Sequence, residues 1–262
     1  MSTIEINGGV ELPANRYEIS LHTADGLTLV GELAIPVARP PIATLVMLHP
    51  LPTAGGFMDS HILRKAAARL PDLADLAVVR FNTRGTVSPR GRSEGTFGDG
   101  VAERYDLEAA MSFVQEQKLP HVWLVGWSFG TEIALRYGGG LAIDGAILLS
   151  PPLHRATDDD VAGWADNGKR LVAVIPEFDD YLKPAEAMVR FSSVPGVELV
   201  AVAGAKHLWV GEAATRRVLT EIVARANPSA LPLPTRWTEE TAPRFSVGAS
   251  TGRFDAEERP DE

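Results

Sequence analysis

The sequence predicts an α/β chain built on a mostly parallel sheet, with an antiparallel hairpin at its N-terminal side and helices on both faces. Three observations predict it. Continuous apolar, β-branched-rich runs recur along the chain, each is followed by a stretch with helical spacing, and only the first two runs alternate polar with apolar residues. With 262 residues and 45% apolar content, the chain can bury a full core.

Residues 17–23 and 27–35 are the alternating runs, joined through Ala24, Asp25 and Gly26, where Asp-Gly suits a tight turn. Residues 42–48 form the first continuous apolar run, and Asp59 opens a helical stretch, DSHILRKAAARL, that should end at Pro71. The unit then repeats. Strand 76–81 precedes helix 101–117, and strand 122–126 precedes helix 129–137. Strand 143–149 follows, then strand 170–175 with helix 184–191, and strand 197–203 with helix 212–226. No internal repeat or second boundary interrupts residues 16–226, so residues 1–226 read as one domain. Residues 227–262 turn proline-rich and then acidic, a composition expected of a mobile or surface-lying tail, although LPLPTRW within it suits an apolar groove.

Composition excludes several functions. A net charge of −9 disfavours a nucleic-acid or anionic-membrane surface. No run is long and apolar enough for a membrane span, and the N-terminus lacks a basic start followed by an apolar stretch, so a cytoplasmic chain is expected. Zero cysteines rule out disulfides, thiolate metal sites and cysteine nucleophiles.

The chemistry is concentrated at Gly126-Trp127-Ser128-Phe129-Gly130. A G-x-S-x-G match arises by accident in roughly one chain in ten of this size, so the motif alone decides little. Its setting decides more. A short buried run, HVWLVGW, leads in and a helical pattern, TEIALRYGG, leads out, the strand–turn–helix arrangement that exposes a serine on a strained turn. Glycines are needed there because side chains would collide with strand or helix, and the Phe129 amide falls at a helix N-terminus, where it can stabilise an anion.

A serine hydroxyl needs a base, and partners on this architecture should follow as acid and then histidine, beyond strand C-terminal ends. Of six histidines, only His154 and His207 come after Ser128, and His154 precedes every candidate acid. His207 is therefore the expected base. Glu177, Asp179 and Asp180 all lie just past strand 170–175; Asp179 is favoured, with the other two open. Asp158, Asp159 and Asp160 read as a solvated loop face or helix cap. A second anion-binding amide should come from the loop after strand 42–48, where prolines leave Leu51 or Thr53 as donors. Leu51 lies nearer the strand. His49 is expected to brace this loop.

LHPLPTAGGFMDS, VVRFNTRG, GRSEGTFGDG, LVGWSFG, IPEFDDYLKP and AKHLWVG together resemble the α/β-hydrolase superfamily over about residues 16–226. The chain is most similar there to the small, lidless bacterial hydrolases akin to the dienelactone-hydrolase group, in which His-Pro-x-Pro follows the third strand. The resemblance implies an α/β-hydrolase fold without a large lid, a Ser128, Asp179 and His207 triad, and Phe129 and Leu51 as oxyanion donors. Two features depart from it. Leu51 stands where related chains often carry a second histidine, and the stretch from Arg84 to Gly95 is longer than usual. That basic stretch reads as a surface loop, with an anion-binding border to the site as the alternative.

The implied activity is a carboxylesterase-like serine hydrolase that cleaves a small soluble ester, thioester or lactone through an acyl-enzyme on Ser128. It needs no metal or organic cofactor and has a small-molecule substrate as its partner. An amidase or peptidase on the same scaffold, a non-catalytic ligand-binding homologue, and an interaction protein using LPLPTRW are the alternatives.

Overall fold

The structure, a computed structural model, describes residues 3–238 and the strand at residues 251–253. Its elements in chain order begin with β1 (Thr3–Glu5), β2 (Asn15–His22), β3 (Thr28–Ile35), β4 (Ala43–Leu48), α1 (His61–Ala74) and β5 (Leu76–Phe81). A small hairpin follows, β6 (Val87–Ser88) with β7 (Gly91–Arg92), then α2 (Glu103–Glu116), β8 (Val122–Trp127), α3 (Phe129–Tyr137) and β9 (Gly145–Leu149). The chain continues through α4 (Asp158–Ala162), β10 (Arg170–Phe178), α5 (Pro184–Arg190), β11 (Glu198–Lys206), α6 (Glu212–Ala226), β12 (Arg236–Thr238) and β13 (Thr251–Arg253).

The main sheet runs β11-β10-β9-β8-β4-β5-β3-β2-β13. From β11 to β5 every neighbouring pair is parallel, and β3 and β2 join antiparallel as the expected hairpin. The continuous apolar runs become strands buried on both faces: every residue of β4, β5, β8 and β9 is buried. Along β4, Leu45 and Met47 face the core beneath α1 and α6, while Val46 and Leu48 face the core beneath α2, α3 and α5. Strand order reverses at β4: β5 lies on one side and β8 on the other. In an open α/β sheet the crevice beyond the strand ends at such a point is where ligands bind. No helix of the described residues is long and apolar enough to cross a membrane.

Three expectations need correction. Pro71 does not end the first helix; α1 continues to Ala74. A proline removes one backbone donor, and the Ala67 carbonyl it would have engaged instead accepts a hydrogen bond from Arg16 Nη2 at 3.0 Å. The hairpin is not the outermost element, because β13 pairs with β2 in parallel register, Gly252 opposite Tyr17. The third correction is partial: the basic stretch lies at the surface over most of its length, as expected, but Arg84 at its start is buried, held by Asp106 and Asp25, and Arg90 pairs with Glu32 and Asp59. These arginines tie the loop to the hairpin, α2 and the start of α1, and their charge is neutralised there.

LPLPTRW lies against its own chain. Leu233 is buried in the core beneath α1 and α6, and Trp237 Nε1 donates to Asp72 at 2.9 Å. The tail expectation also spans residues 239–250 and 254–262, which lie outside the described residues.

Candidate active site

Ser128 joins β8 to α3 with φ 52° and ψ −117°, a left-handed conformation that costs an L-residue about 1–3 kcal/mol and persists only where the surroundings enforce it. The surroundings here are two glycines. A Cβ on Gly126 would sit 2.5 Å from the Gly130 carbonyl oxygen, and one on Gly130 would sit 2.2 Å from the Leu48 carbonyl oxygen. Only hydrogen at both positions lets the turn close this tightly against β4. The Ser128 amide is held by the Leu149 carbonyl at 2.9 Å, which fixes the turn against β9.

His207 follows β11 and Asp179 follows β10, so parallel strands bring both to the same edge of the sheet as Ser128. His207 Nε2 stands 2.9 Å from Ser128 Oγ, and His207 Nδ1 stands 3.0 and 3.2 Å from the two Asp179 carboxylate oxygens. Asp179 is 2% exposed and also accepts from the amides of Tyr181 and Leu182. Burial pushes its carboxyl up, but the His207 hydrogen bond and these amides outweigh burial and hold it below the usual carboxylate range. The other two acids left open by the sequence lie elsewhere: Glu177 is exposed and accepts from the Gly204 amide, and Asp180 is exposed. His154 lines the cavity, its ring edge-on to Tyr181 and its amide bonded to Glu132.

Ser128 and His207 open into a cavity of about 170 Å³, also lined by Leu51, Phe129, Tyr181 and Leu208. The amides of Leu51 and Phe129 are without a hydrogen-bond partner among the described residues. Thr53 is exposed and borders a different depression, so the structure places Leu51 rather than Thr53 beside the serine.

His49 is 1% exposed, donates from Nδ1 to the Pro50 carbonyl at 2.6 Å, and accepts at Nε2 from the Thr83 amide at 3.1 Å. It braces the loop that carries Leu51. Burial pushes its imidazole down from 6.5 to about 4, against the opposing effect of the Pro50 carbonyl. At His49 the unfolded chain therefore holds a proton between these values that the folded chain lacks, so this group's contribution to stability is full above about pH 6.5 and is lost as pH drops toward 4, on the order of 3 kcal/mol. His49→Gln, which takes up no proton in this range, should show a flatter loss of urea midpoint between neutral pH and about pH 5 than the wild type. Parallel slopes would refute this account of His49.

The sequence reading missed Glu132, Arg155 and Tyr181. Glu132 is fully buried one turn after Ser128 on α3 and accepts from the backbone amides of His154 and Arg155, which fixes the loop after β9 over the site. Arg155 spreads over the Phe129 ring at 5.4 Å and pairs with Asp99. Tyr181 stands edge-on to His207 at 4.7 Å. Spacing of four from Ser128 marks Glu132 as sharing its helix face; nothing in the sequence singles out Tyr181 from other loop aromatics.

No protein-family model matches the chain. An uncharacterized protein of Rickettsia prowazekii is 35% identical over 118 residues, which is 44% of this chain; the chain spans about half the length of this relative. Solved structures match far more of it. An α/β serine hydrolase without a lid from Xanthomonas campestris covers 86% of this chain and 99% of its own, with a TM-score of 0.68 at 24% identity. The chain has the α/β-hydrolase fold. An α/β serine hydrolase homologue from Coxiella burnetii covers 82% of the chain and 99% of its own, with a TM-score of 0.67 at 23% identity. The Pyrococcus furiosus esterase Pf2001 covers 81% and 93% at a TM-score of 0.66 and 19% identity. Between β9 and β10, residues 151–169 hold the five-residue α4 and contribute Pro152, His154 and Arg155 to the cavity wall. Asp160 belongs to the capping box that starts this helix on Thr157, a structural use of the acidic run.

Proposed function

We propose that the protein is a serine hydrolase that cleaves small carboxylic esters, thioesters or lactones through an acyl-enzyme on Ser128. The observation that carries this reading is the continuous contact from Asp179 through His207 to a serine held at positive φ, with two amides on the same cavity that have no partner among the described residues. His207 Nε2 takes the hydroxyl proton as Ser128 Oγ attacks the carbonyl carbon, and the oxyanion forms against the Leu51 and Phe129 amides. Asp179 keeps the remaining imidazole proton on Nδ1 and stabilises the imidazolium. His207 then hands the proton to the departing alkoxide, thiolate or ring oxygen. Water, deprotonated by the same nitrogen, attacks the acyl carbon, and collapse of that second intermediate releases the acid and restores Ser128.

Cavity size selects the acyl group. A space of about 170 Å³ is close to the roughly 150 Å³ that accommodates benzene, so it holds an acyl chain of a few carbons and leaves the rest of a fatty chain outside. For p-nitrophenyl esters, kcat/KM is expected to be highest for acetate to butyrate and at least about tenfold lower for decanoate. A rate that rises steadily to decanoate would overturn this substrate class.

Leu51→Pro tests the oxyanion assignment. Leu51 has φ −54°, within the range a proline ring imposes, and its amide engages nothing among the described residues. The substitution therefore deletes one donor with small conformational cost and should lower kcat by about 10²–10³-fold. An unchanged kcat would remove Leu51 from the mechanism.

A further inference from the structure

The contacts that fix the base do not stop at its ring. His207 is followed by a short loop in which Trp209 has φ 50° and Gly211 has φ 98°, a path that regular structure does not stabilise. Two buried side chains grip its first carbonyl. Trp127 Nε1 and Ser150 Oγ both donate to the His207 oxygen, each at 3.2 Å. A third contact reinforces them: His61 Nε2 donates to the next carbonyl, Leu208, at 2.7 Å, and the His61 ring stands edge-on to Trp127 at 5.1 Å.

The anchors have a definite origin. Trp127 is the residue before Ser128 at the end of β8, and Ser150 is the first residue after β9. Both are buried, at 3% and 1% exposure, and the Ser150 amide is itself bonded to the Val174 carbonyl of β10. The backbone of the base is thereby tied to the strand that carries the nucleophile and to the strands beside it. Without these donors, the relative position of His207 and Ser128 would rest on the Asp179 contact and on the loop.

Resting on the Ser128 reading above, we propose that Trp127 and Ser150 are positioning residues that hold the His207 carbonyl and thereby set the separation of imidazole and hydroxyl. Misplacement of a reacting group by about 1 Å can cost about 10²-fold in rate, so a backbone clamp on the base controls the chemical step without touching substrate. Ser150 lines no part of the cavity, whereas Trp127 does, so Ser150→Ala isolates the clamp from substrate binding. Trp127→Phe keeps an aromatic ring and removes the donor.

The test compares wild type, Ser150→Ala, Trp127→Phe and the double variant, each confirmed folded by its urea midpoint. Hydrolysis of p-nitrophenyl acetate, the rate of Ser128 labelling by a fluorophosphonate, and the low-field Nδ1 proton resonance of His207 are measured on each. Ser150→Ala is expected to lower kcat about tenfold with KM unchanged, and to slow labelling in parallel. Its low-field resonance should broaden, which a purely structural role would not produce. Because each donor partly covers for the other, the double variant should lose more than the product of the two single losses. Wild-type kcat, labelling and resonance in folded Ser150→Ala and in the double variant would overturn the clamp and leave the Ser128 reading standing. Absence of labelling and of hydrolysis in the wild type would overturn both.

Discussion

Ser128→Ala is expected to lower kcat for a short ester by about 10⁴-fold or more while leaving the fold intact, and His207→Ala should do the same. In the proposed mechanism both side chains act in one proton transfer across the 2.9 Å contact, so the loss of either would remove nucleophilic attack, and the double variant should be no worse than the more damaged single one. Asp179→Ala should cost less, because the serine and the two proposed oxyanion amides remain while the proposed base loses the carboxylate that orients it. The variants are compared in kcat after matching their unfolding midpoints to wild type. A Ser128→Ala protein that keeps more than about one tenth of wild-type kcat would contradict the acyl-enzyme.

Gly130→Ala is the second large effect, and it falls on stability. The added methyl would lie 2.2 Å from the Leu48 carbonyl oxygen and 2.6 Å from the Leu48 carbonyl carbon, atoms of a central strand that cannot retreat as a surface side chain can. Helix α3 would have to move away from β4, opening the packing of Phe129 and Ile133 against the sheet. Overpacking of this kind costs about 1–3 kcal/mol or more, and here the upper end is expected. The same displacement would separate Ser128 from the Leu51 loop, so activity should fall beyond what unfolding alone explains. An unchanged urea midpoint for Gly130→Ala would mean that the turn is looser than this geometry requires.

The elements that were legible in the sequence are those whose pattern follows from burial alone. Helices α3 and α6 occupy residues 129–137 and 212–226 as the spacing predicts, and β5 fits the apolar run 76–81. The meeting of Ser128, Asp179 and His207 was legible because parallel strands carry their C-terminal ends to one edge, so order along the chain becomes proximity in space. What escaped depended on tertiary partners. Pro71 sits within a helix because Arg16, distant in sequence, satisfies the carbonyl that the proline leaves without its donor. Arg84 looked solvated because nothing local shows that Asp25 and Asp106 would enclose it. Glu132 is a buried carboxylate whose partners, the amides of residues 154 and 155, are invisible to any pattern of side chains. The strand β13, brought against β2 from far along the chain, had no periodicity to announce it over three residues.

The most direct test of the acyl-enzyme account is to incubate the folded protein with a fluorescent fluorophosphonate and locate the adduct by peptide mass spectrometry, with Ser128→Ala alongside. Such a probe needs both an activated hydroxyl and an oxyanion site. A single phosphonylated residue, Ser128, is expected, with no adduct on the variant. An intact, folded protein that takes up no label, or takes it up at another residue in both proteins, would contradict it and favour a site that binds a ligand without turning it over.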